Sequence, residues 1–209
     1  MNLLTIIILI GLSAIFAIFG KYAKQRYIHY VFKPLTMILI IYLAIASGVN
    51  VNNSYKYLIL SAFIFSLIGD IFLMLPNHKL IKGLFFFLIA HILYVFAFIQ
   101  NVETYYYIIL IPVLIYTTII YRLLYEKLNK LRIPVLFYVI IISIMGWLAV
   151  NRYLNFQDVK SLCALMGGSL FLVSDSVLAI NRFRKQFKSS EIMILGTYFS
   201  AQLILALSI

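Results

Sequence analysis

Charged residues and cysteine are both scarce in this sequence. Only 11% of its 209 residues are charged, whereas a soluble domain usually carries about 25%. Hydrophobic residues make up 65%, with a mean hydropathy of +1.06, which is more apolar surface than a soluble core can bury. Cys163 has no second cysteine to pair with, so an internal disulfide is excluded. The composition therefore excludes a soluble globular protein and indicates a chain covered by lipid.

Several catalytic motifs are absent as well. No Gly-x-Ser-x-Gly elbow is present, so we do not expect a standard serine hydrolase. No glycine-rich loop is present that could cradle a phosphate. Of the three histidines, His29 and His78 are predicted in or beside loops, so a three-histidine zinc site within the membrane is not available.

The hydrophobic residues fall into eight runs, each about as long as the 20 residues that a helix needs to cross the hydrocarbon core. The runs are 2–20, 33–49, 55–75, 82–100, 104–122, 133–150, 160–180 and 191–208. They predict an all-α, polytopic membrane bundle that forms one transmembrane domain over residues 1–209. Pro34, Pro76 and Pro134 fall at or near predicted helix ends, where proline is tolerated. Pro112 falls inside the fifth predicted helix, where we expect a kink.

The formal net charge of +11 is distributed unevenly between the two ends of the predicted bundle. Only Lys56, Arg152 and Lys160 belong to one end, and the other 14 of the 17 basic residues lie in or near the connections after helices one, three, five and seven. The positive-inside rule then predicts cytoplasmic basic connections and both termini outside, in a bacterial cytoplasmic membrane. The positive charge is therefore a topology signal, and no nucleic-acid partner is predicted.

Short sequence matches indicate an internal repeat of four helices. Asp70 in the third predicted helix is matched by Asp175 in the seventh, and Ala90-His91 in the fourth is matched by Ala201-Gln202 in the eighth. The predicted half-repeats are residues 1–103 and 104–209. Parallel repeats of this kind often place a binding site at their interface.

The two aspartates are the most informative polar residues. Asp70 and Asp175 each lie about five residues, roughly 7 Å at 1.5 Å per residue, from the basic end of a predicted helix. An ionisable residue near the middle of a membrane helix costs about 2.5–3.5 kcal/mol and usually faces the interior of the bundle. Each aspartate could merely hydrogen-bond to a neighbouring helix, but their matched depth favours a shared site in a pocket facing the basic end.

Other polar residues share helix faces that could point at the same pocket. His91 and Tyr94 are three residues apart, and Tyr198 and Gln202 are four apart. His91 could equally be a hydrogen-bonded core histidine. Lys33, at the start of the second predicted helix, could neutralise a carboxylate, contact a lipid phosphate, or extend to the headgroups.

At these positions the sequence resembles the YhhN family of membrane proteins, whose characterised members are lysoplasmalogenases. The resemblance covers most of the chain, and its motifs are Lys33-Pro34-Leu35, the run 65–70, Gly83-Leu84, Phe87, Ala90-His91, Tyr94, Ser174-Asp175-Ser176, Tyr198 and Ala201-Gln202-Leu203. It implies hydrolysis of the sn-1 vinyl ether of a lysoplasmalogen to a fatty aldehyde and a glycerophospho-head group. A lysophospholipid substrate is then expected in a membrane lipid environment, with no cofactor.

Vinyl ether hydrolysis begins with protonation of a carbon, so it needs an acid group that is still protonated near neutral pH. A buried carboxyl with a second carboxylate nearby suits this task, and a division of labour like that of glycosidase carboxylates follows. We therefore predict Asp70 and Asp175 as the acid/base pair, without assigning the acid. Lys33 is expected to contact the phosphate. The supporting residues are His91, Tyr94, Ser174, Tyr198 and Gln202.

Three alternatives stay open on the sequence alone. Intramembrane aspartate and histidine are also parts of proton-coupled transporters. A related lipid hydrolase could act on a different ether or an epoxide. A metal ion could be held between the two carboxylates and His91.

Overall fold

The structure is a computed structural model that describes residues 2–47, 53–75 and 80–209. Over these residues it contains eight long helices and no strand, which confirms the predicted all-α fold. The helices are α1 (Leu3–Tyr22), α2 (Arg26–Ser47), α3 (Asn53–Met74), α4 (Leu80–Phe98), α5 (Leu110–Tyr125), α6 (Arg132–Phe156), α7 (Val159–Ala179) and α8 (Ser190–Leu207). All eight spans are long and apolar enough to cross a membrane, the fifth together with a 3₁₀ turn at Tyr107–Ile109. Pro76 and His78 lie outside the described residues.

The helices pack mainly as sequential pairs. The closest pairs are α1 with α2, α3 with α4, and α7 with α8, while α6 bridges α4 and α7. Helix α5 lies at the periphery and packs mainly against α6, and Leu124 is its only buried residue. The core of the bundle is therefore formed by the other helices, and α5 is an outer wall.

Glycines allow the α3–α4 pair to approach closely. A Cβ atom at Gly69 would lie 2.7 Å from the Phe87 ring, and one at Gly83 would lie 2.7 Å from the Leu73 side chain. Small residues at such crossings bring helix backbones together without the cost of a cavity. The crossing fixes the position of Asp70, which directly follows Gly69.

The beginning of α2 differs from the prediction. The helix begins at Arg26, so Lys33 and Pro34 lie inside it rather than at its end. His29, which was predicted in or beside a loop, is buried in this first part of α2, and its Nδ1 donates to the Ala17 carbonyl at 2.8 Å. The prediction was wrong because hydropathy marks only the apolar part of a helix, whereas this polar start is stabilised by packing on α1.

Pro112, at which a kink inside the fifth helix was predicted, lies instead at the beginning of that helix. Helix α5 begins at Leu110, six residues later than expected, so Pro112 lies in its first turn. The N–H groups of a first turn have no partner within the helix, so a proline there removes no hydrogen bond.

Candidate active site

All eight predicted site residues are buried. The most exposed of them is Asp175, at 8%. They are Lys33, Asp70, His91, Tyr94, Ser174, Asp175, Tyr198 and Gln202. Five of them form two clusters around the aspartates, Tyr94 and Gln202 pair with each other, and Ser174 lies apart.

The first cluster surrounds Asp70. Lys33 Nζ lies 2.9 Å from Asp70 Oδ1, and the Tyr198 hydroxyl donates to Oδ2 at 2.6 Å. The Lys33 and Asp70 side chains are only 8% and 1% exposed. A carboxylate with a cation on one oxygen and a hydroxyl donor on the other is well compensated as an anion. Of the possibilities left open for Lys33, the structure shows that it neutralises a carboxylate.

The second cluster surrounds Asp175. The Tyr138 hydroxyl donates to Asp175 Oδ2, and His91 Nε2 lies 3.5 Å from the same oxygen. The other ring nitrogen of His91, Nδ1, lies 2.6 Å from the Phe87 carbonyl. Because a carbonyl only accepts, Nδ1 carries a proton, and Nε2 of the neutral ring has none. Nε2 is therefore the ring nitrogen that faces the Asp175 carboxyl group, and it has no hydrogen-bond partner among the described residues.

Asp175 differs from Asp70 in its ionic partners. Among the described residues, no Lys or Arg forms an ion pair with Asp175. Neither does the described part of the chain bring three or more His, Cys, Asp or Glu side chains together as a metal site would need. The two carboxyl groups therefore differ in their partners: Asp70 is paired with a cation, and Asp175, among the described residues, is not.

An aromatic side chain stands between the clusters. The Phe171 ring packs edge-on against His91, with centroids 4.7 Å apart, and against Tyr198 at 5.5 Å. Next to it, the Tyr94 hydroxyl donates to Gln202 Oε1 at 2.7 Å, which ties α4 to α8. Phe171 thus packs against one partner of each aspartate, His91 for Asp175 and Tyr198 for Asp70.

The partners of the two aspartates follow the same order along the chain. Lys33 precedes Asp70 by 37 residues, and Tyr138 precedes Asp175 by 37 residues. Each aspartate also has a partner from the other half of the chain, Tyr198 for Asp70 and His91 for Asp175. This reciprocal arrangement fits the half-repeats predicted from sequence, which stay a prediction.

A cavity of about 320 Å³ lies between α4, α5, α6 and α7. Its walls are mainly aliphatic and aromatic, and Asp175 and Tyr138 line it, whereas Asp70 is not among its lining residues. Three lining residues, Ile81, Phe85 and Phe137, are 57–60% exposed on the outer surface of the bundle. The cavity therefore opens sideways, toward the surface that lipid covers.

Sequence reasoning missed Tyr138. Tyrosine occurs 16 times in the chain, so no single tyrosine stood out, but the shared separation of 37 residues from an aspartate would have identified this one. Ser174 has a different role from the cavity residues, because its hydroxyl donates to the Ile194 carbonyl at 3.0 Å and joins α7 to α8.

Comparison with known proteins gives a consistent set of relatives. The YhhN family matches residues 28–209. The uncharacterized membrane protein YhhN of Escherichia coli O6:H1 is 24% identical over 203 residues, which cover 97% of each chain. Lysoplasmalogenase TMEM86A of Bos taurus is 30% identical over 84% of this chain and 74% of its own. Lysoplasmalogenase TMEM86B of Rattus norvegicus is 29% identical over 84% of this chain and 70% of its own. No solved structure matches the chain.

Proposed function

This chain belongs to the YhhN family, and from that premise we propose that it is an integral membrane lysoplasmalogenase. It hydrolyses the sn-1 vinyl ether of a lysoplasmalogen and releases a fatty aldehyde and a glycerophospho-head group. The relatives named as lysoplasmalogenases support the lipid substrate. The enzyme lies in the cytoplasmic membrane, with its basic connections in the cytoplasm and both termini outside.

One observation carries the proposal: a carboxyl group without a neutralising cation faces an apolar cavity that opens toward lipid. Asp175 lines this cavity. The Tyr138 hydroxyl donates to Asp175 Oδ2, and His91 Nε2 lies 3.5 Å from the same oxygen. Asp175 is the carboxyl group that a ligand in the cavity can touch, whereas Asp70 does not line the cavity and is paired with Lys33. Asp175 is therefore the proton donor of the pair, and the apolar walls receive the alkyl chain.

The reaction requires one proton and one water. Protonated Asp175 transfers its proton to the vinyl carbon that is not bonded to oxygen, and the neighbouring carbon becomes an oxocarbenium ion. Water adds to that carbon while the Asp175 carboxylate takes a proton from it, which gives a hemiacetal and restores the acid. The hemiacetal then breaks its bond to the glycerol oxygen, its hydroxyl proton passes to that oxygen, and the products are the aldehyde and the alcohol.

Asp70 acts as a positioning residue behind the aromatic wall. Its negative charge is held by Lys33 and Tyr198, and a fixed charge in a medium of low dielectric constant acts over a longer range than one in water. It favours the cation that forms beside Asp175 and fixes Tyr198 against Phe171. His91 receives or returns the proton of Asp175 through its unprotonated Nε2.

The test is aldehyde release by purified protein in detergent micelles supplied with a lysoplasmalogen. No gradient exists in micelles, so transport cannot produce the signal. We expect Asp175→Asn to lose at least a hundredfold in kcat, since general acid catalysis contributes about 10²–10⁴-fold. Asp158→Asn is the matched control, because Asp158 lies at the opposite end of α7, and asparagine keeps its role as helix cap.

The outcomes separate the alternatives. Near-normal turnover by Asp175→Asn would exclude Asp175 as the donor. No aldehyde from any lysoplasmalogen would refute the proposed activity, and a panel of other ether and epoxide lipids would then test a different substrate. We expect a chelator to leave turnover unchanged. Loss of turnover in the presence of the chelator would point to the alternative with a bound metal ion.

A further inference from the structure

A single arginine lines the same cavity as Asp175. Arg182 lies in the π-helical turn Ile180–Arg184 that continues α7, and among the described residues it is the only Lys or Arg that lines the cavity. π-Helical turns are rare and are frequently found at functional sites. This turn directs an arginine into an otherwise apolar cavity.

The guanidinium group of Arg182 has an unused hydrogen-bond donor. Its Nε is enclosed by protein and has no hydrogen-bond partner, and no carboxylate of the described residues forms an ion pair with Arg182. A buried, unpaired donor on a charged group costs several times more than an ordinary exposed one. Such a group is expected to have an anionic partner that the chain itself does not supply.

The other polar groups of the cavity wall are already satisfied. The Tyr116 hydroxyl pairs with Ser176 Oγ at 2.6 Å, and Ser143 Oγ pairs with Thr117 Oγ1 at 2.6 Å. Among the described residues, Asp175 and Arg182 are therefore the two ionisable positions of the cavity wall where a ligand can make polar contacts.

The spacing of these two positions suits one kind of ligand. Seven residues separate Asp175 from Arg182, which corresponds to roughly 10 Å along the helix. In a single-chain glycerophospholipid, six bonds separate the first chain carbon from phosphorus. Three bonds of an extended chain span at most about 3.6 Å, so six span roughly 7 Å. The arginine side chain covers the remaining distance, so one ligand can touch both residues.

We propose that Arg182 anchors the phosphate of a single-chain lipid, so that the first carbons of the chain lie against Asp175. This inference rests on the proposed function for the identity of the lipid, and it specifies the substrate class: one alkyl chain and a phosphate diester. The planar guanidinium group binds two phosphate oxygens at once, and it binds the phosphate whatever alcohol follows it. Lys33 is not available for this contact because its ammonium group binds Asp70.

The experiment measures binding and does not depend on turnover. Radiolabelled lysophosphatidylcholine, which has an ester-linked chain and no vinyl ether, is equilibrated with the purified full-length protein in an uncharged detergent. We expect Arg182→Gln to weaken binding about ten- to hundredfold, the usual effect of losing a charge-assisted hydrogen bond, and Arg182→Lys to weaken it less. Binding of a monoacylglycerol with the same chain is expected to be unchanged, which also shows that the variant is folded.

Arg184→Gln is the matched control. Arg184 belongs to the same π-helical turn but is exposed and does not line the cavity, so its loss should leave binding unchanged. Competition with millimolar inorganic phosphate distinguishes the source of the anion: little displacement supports a lipid phosphate, whereas displacement as strong as that by the lipid overturns the proposal.

Equal losses of lipid binding by Arg182→Gln and Arg184→Gln would overturn the proposed phosphate contact, since they would indicate a general effect of surface charge. Unchanged binding by Arg182→Gln would overturn it too. These results are independent of aldehyde release, so a failure of the anchor and a failure of the proposed activity can be told apart.

Discussion

The buried ion pair of Lys33 and Asp70 gives the sharpest prediction about stability. Replacing Lys33 with methionine keeps most of the volume of the side chain but removes its charge. Asp70, whose side chain is 1% exposed, would then remain as a buried carboxylate with only the Tyr198 hydroxyl as a partner. No other cation of the described residues forms an ion pair with it.

The expected cost follows from this burial. Breaking a buried ion pair by removing one partner typically costs about 3–5 kcal/mol, because an uncompensated charge is left behind. Removing both charges costs far less, since a buried pair adds little net stability over apolar residues of the same shape. We therefore expect Lys33→Met to destabilise the protein by about 3–5 kcal/mol and the double variant with Asp70→Asn to recover most of this loss.

The measurement is reversible unfolding of purified protein in mixed micelles, followed by circular dichroism as the fraction of denaturing detergent increases. Lys21→Met is the matched control. Lys21 pairs with Glu191 at 3.6 Å, but the two side chains are 40% and 26% exposed. Exposed pairs contribute about 0–1 kcal/mol, so this variant should unfold almost like the parent protein.

Two results would refute the reasoning. If Lys33→Met costs no more than Lys21→Met, the pair does not compensate a buried charge. If the double variant is less stable than Lys33→Met alone, Asp70 stabilises the fold without its cation, and the pair is not the reason for its burial.

Three further predictions concern other parts of the bundle. Tyr138→Phe keeps the ring but removes the donor to the cavity carboxyl group, and kcat for aldehyde release should fall about 10²-fold or more, as for other preorganised donors. Gly69→Ala forces a methyl group onto the Phe87 ring and should cost about 1–3 kcal/mol, whereas Gly196→Ala, with nothing within 4 Å, should be neutral or stabilising in the same unfolding assay. The cap hydrogen bonds lower the pKa of Asp158 below its usual value. The contribution of Asp158 to the stability of the protein is therefore present above about pH 4 and is lost as the pH falls through the lowered pKa. Asp158→Ala should cost about 1 kcal/mol at pH 7 and less in acid.

The number of helices could be predicted because two independent signals agree. Hydropathy counts eight runs, and the alternation of basic residues between connections requires the same count. The start of α2 could not be predicted in this way, because its first turns are polar and their stability comes from contacts such as that of His29 with the Ala17 carbonyl. Hydropathy measures transfer into lipid, and it is silent about polar groups that are satisfied between helices.

The candidate site was predictable in composition but not in arrangement. A charged residue inside a membrane helix needs a partner, which is why Asp70 and Asp175 stood out from the sequence. Which partners they have depends on how helices distant in the chain pack, so the division into an Asp70 cluster and an Asp175 cluster could not be derived. Arg182 was grouped with the loop charges, because the sequence did not show the π-helical turn that continues α7 or the cavity that Arg182 lines.

The order of partners along the chain bears on biosynthesis. Tyr198 follows Asp70 by 128 residues, and at about 5–20 residues per second the ribosome needs roughly 6–25 s to reach it. Lys33 has been made by the time Asp70 enters the membrane, so the two side chains can pair as soon as Asp70 is inserted. The same holds for Asp175, because both of its partners, His91 and Tyr138, precede it in the chain. For each aspartate, at least one polar partner has therefore been synthesised before the aspartate enters the bilayer.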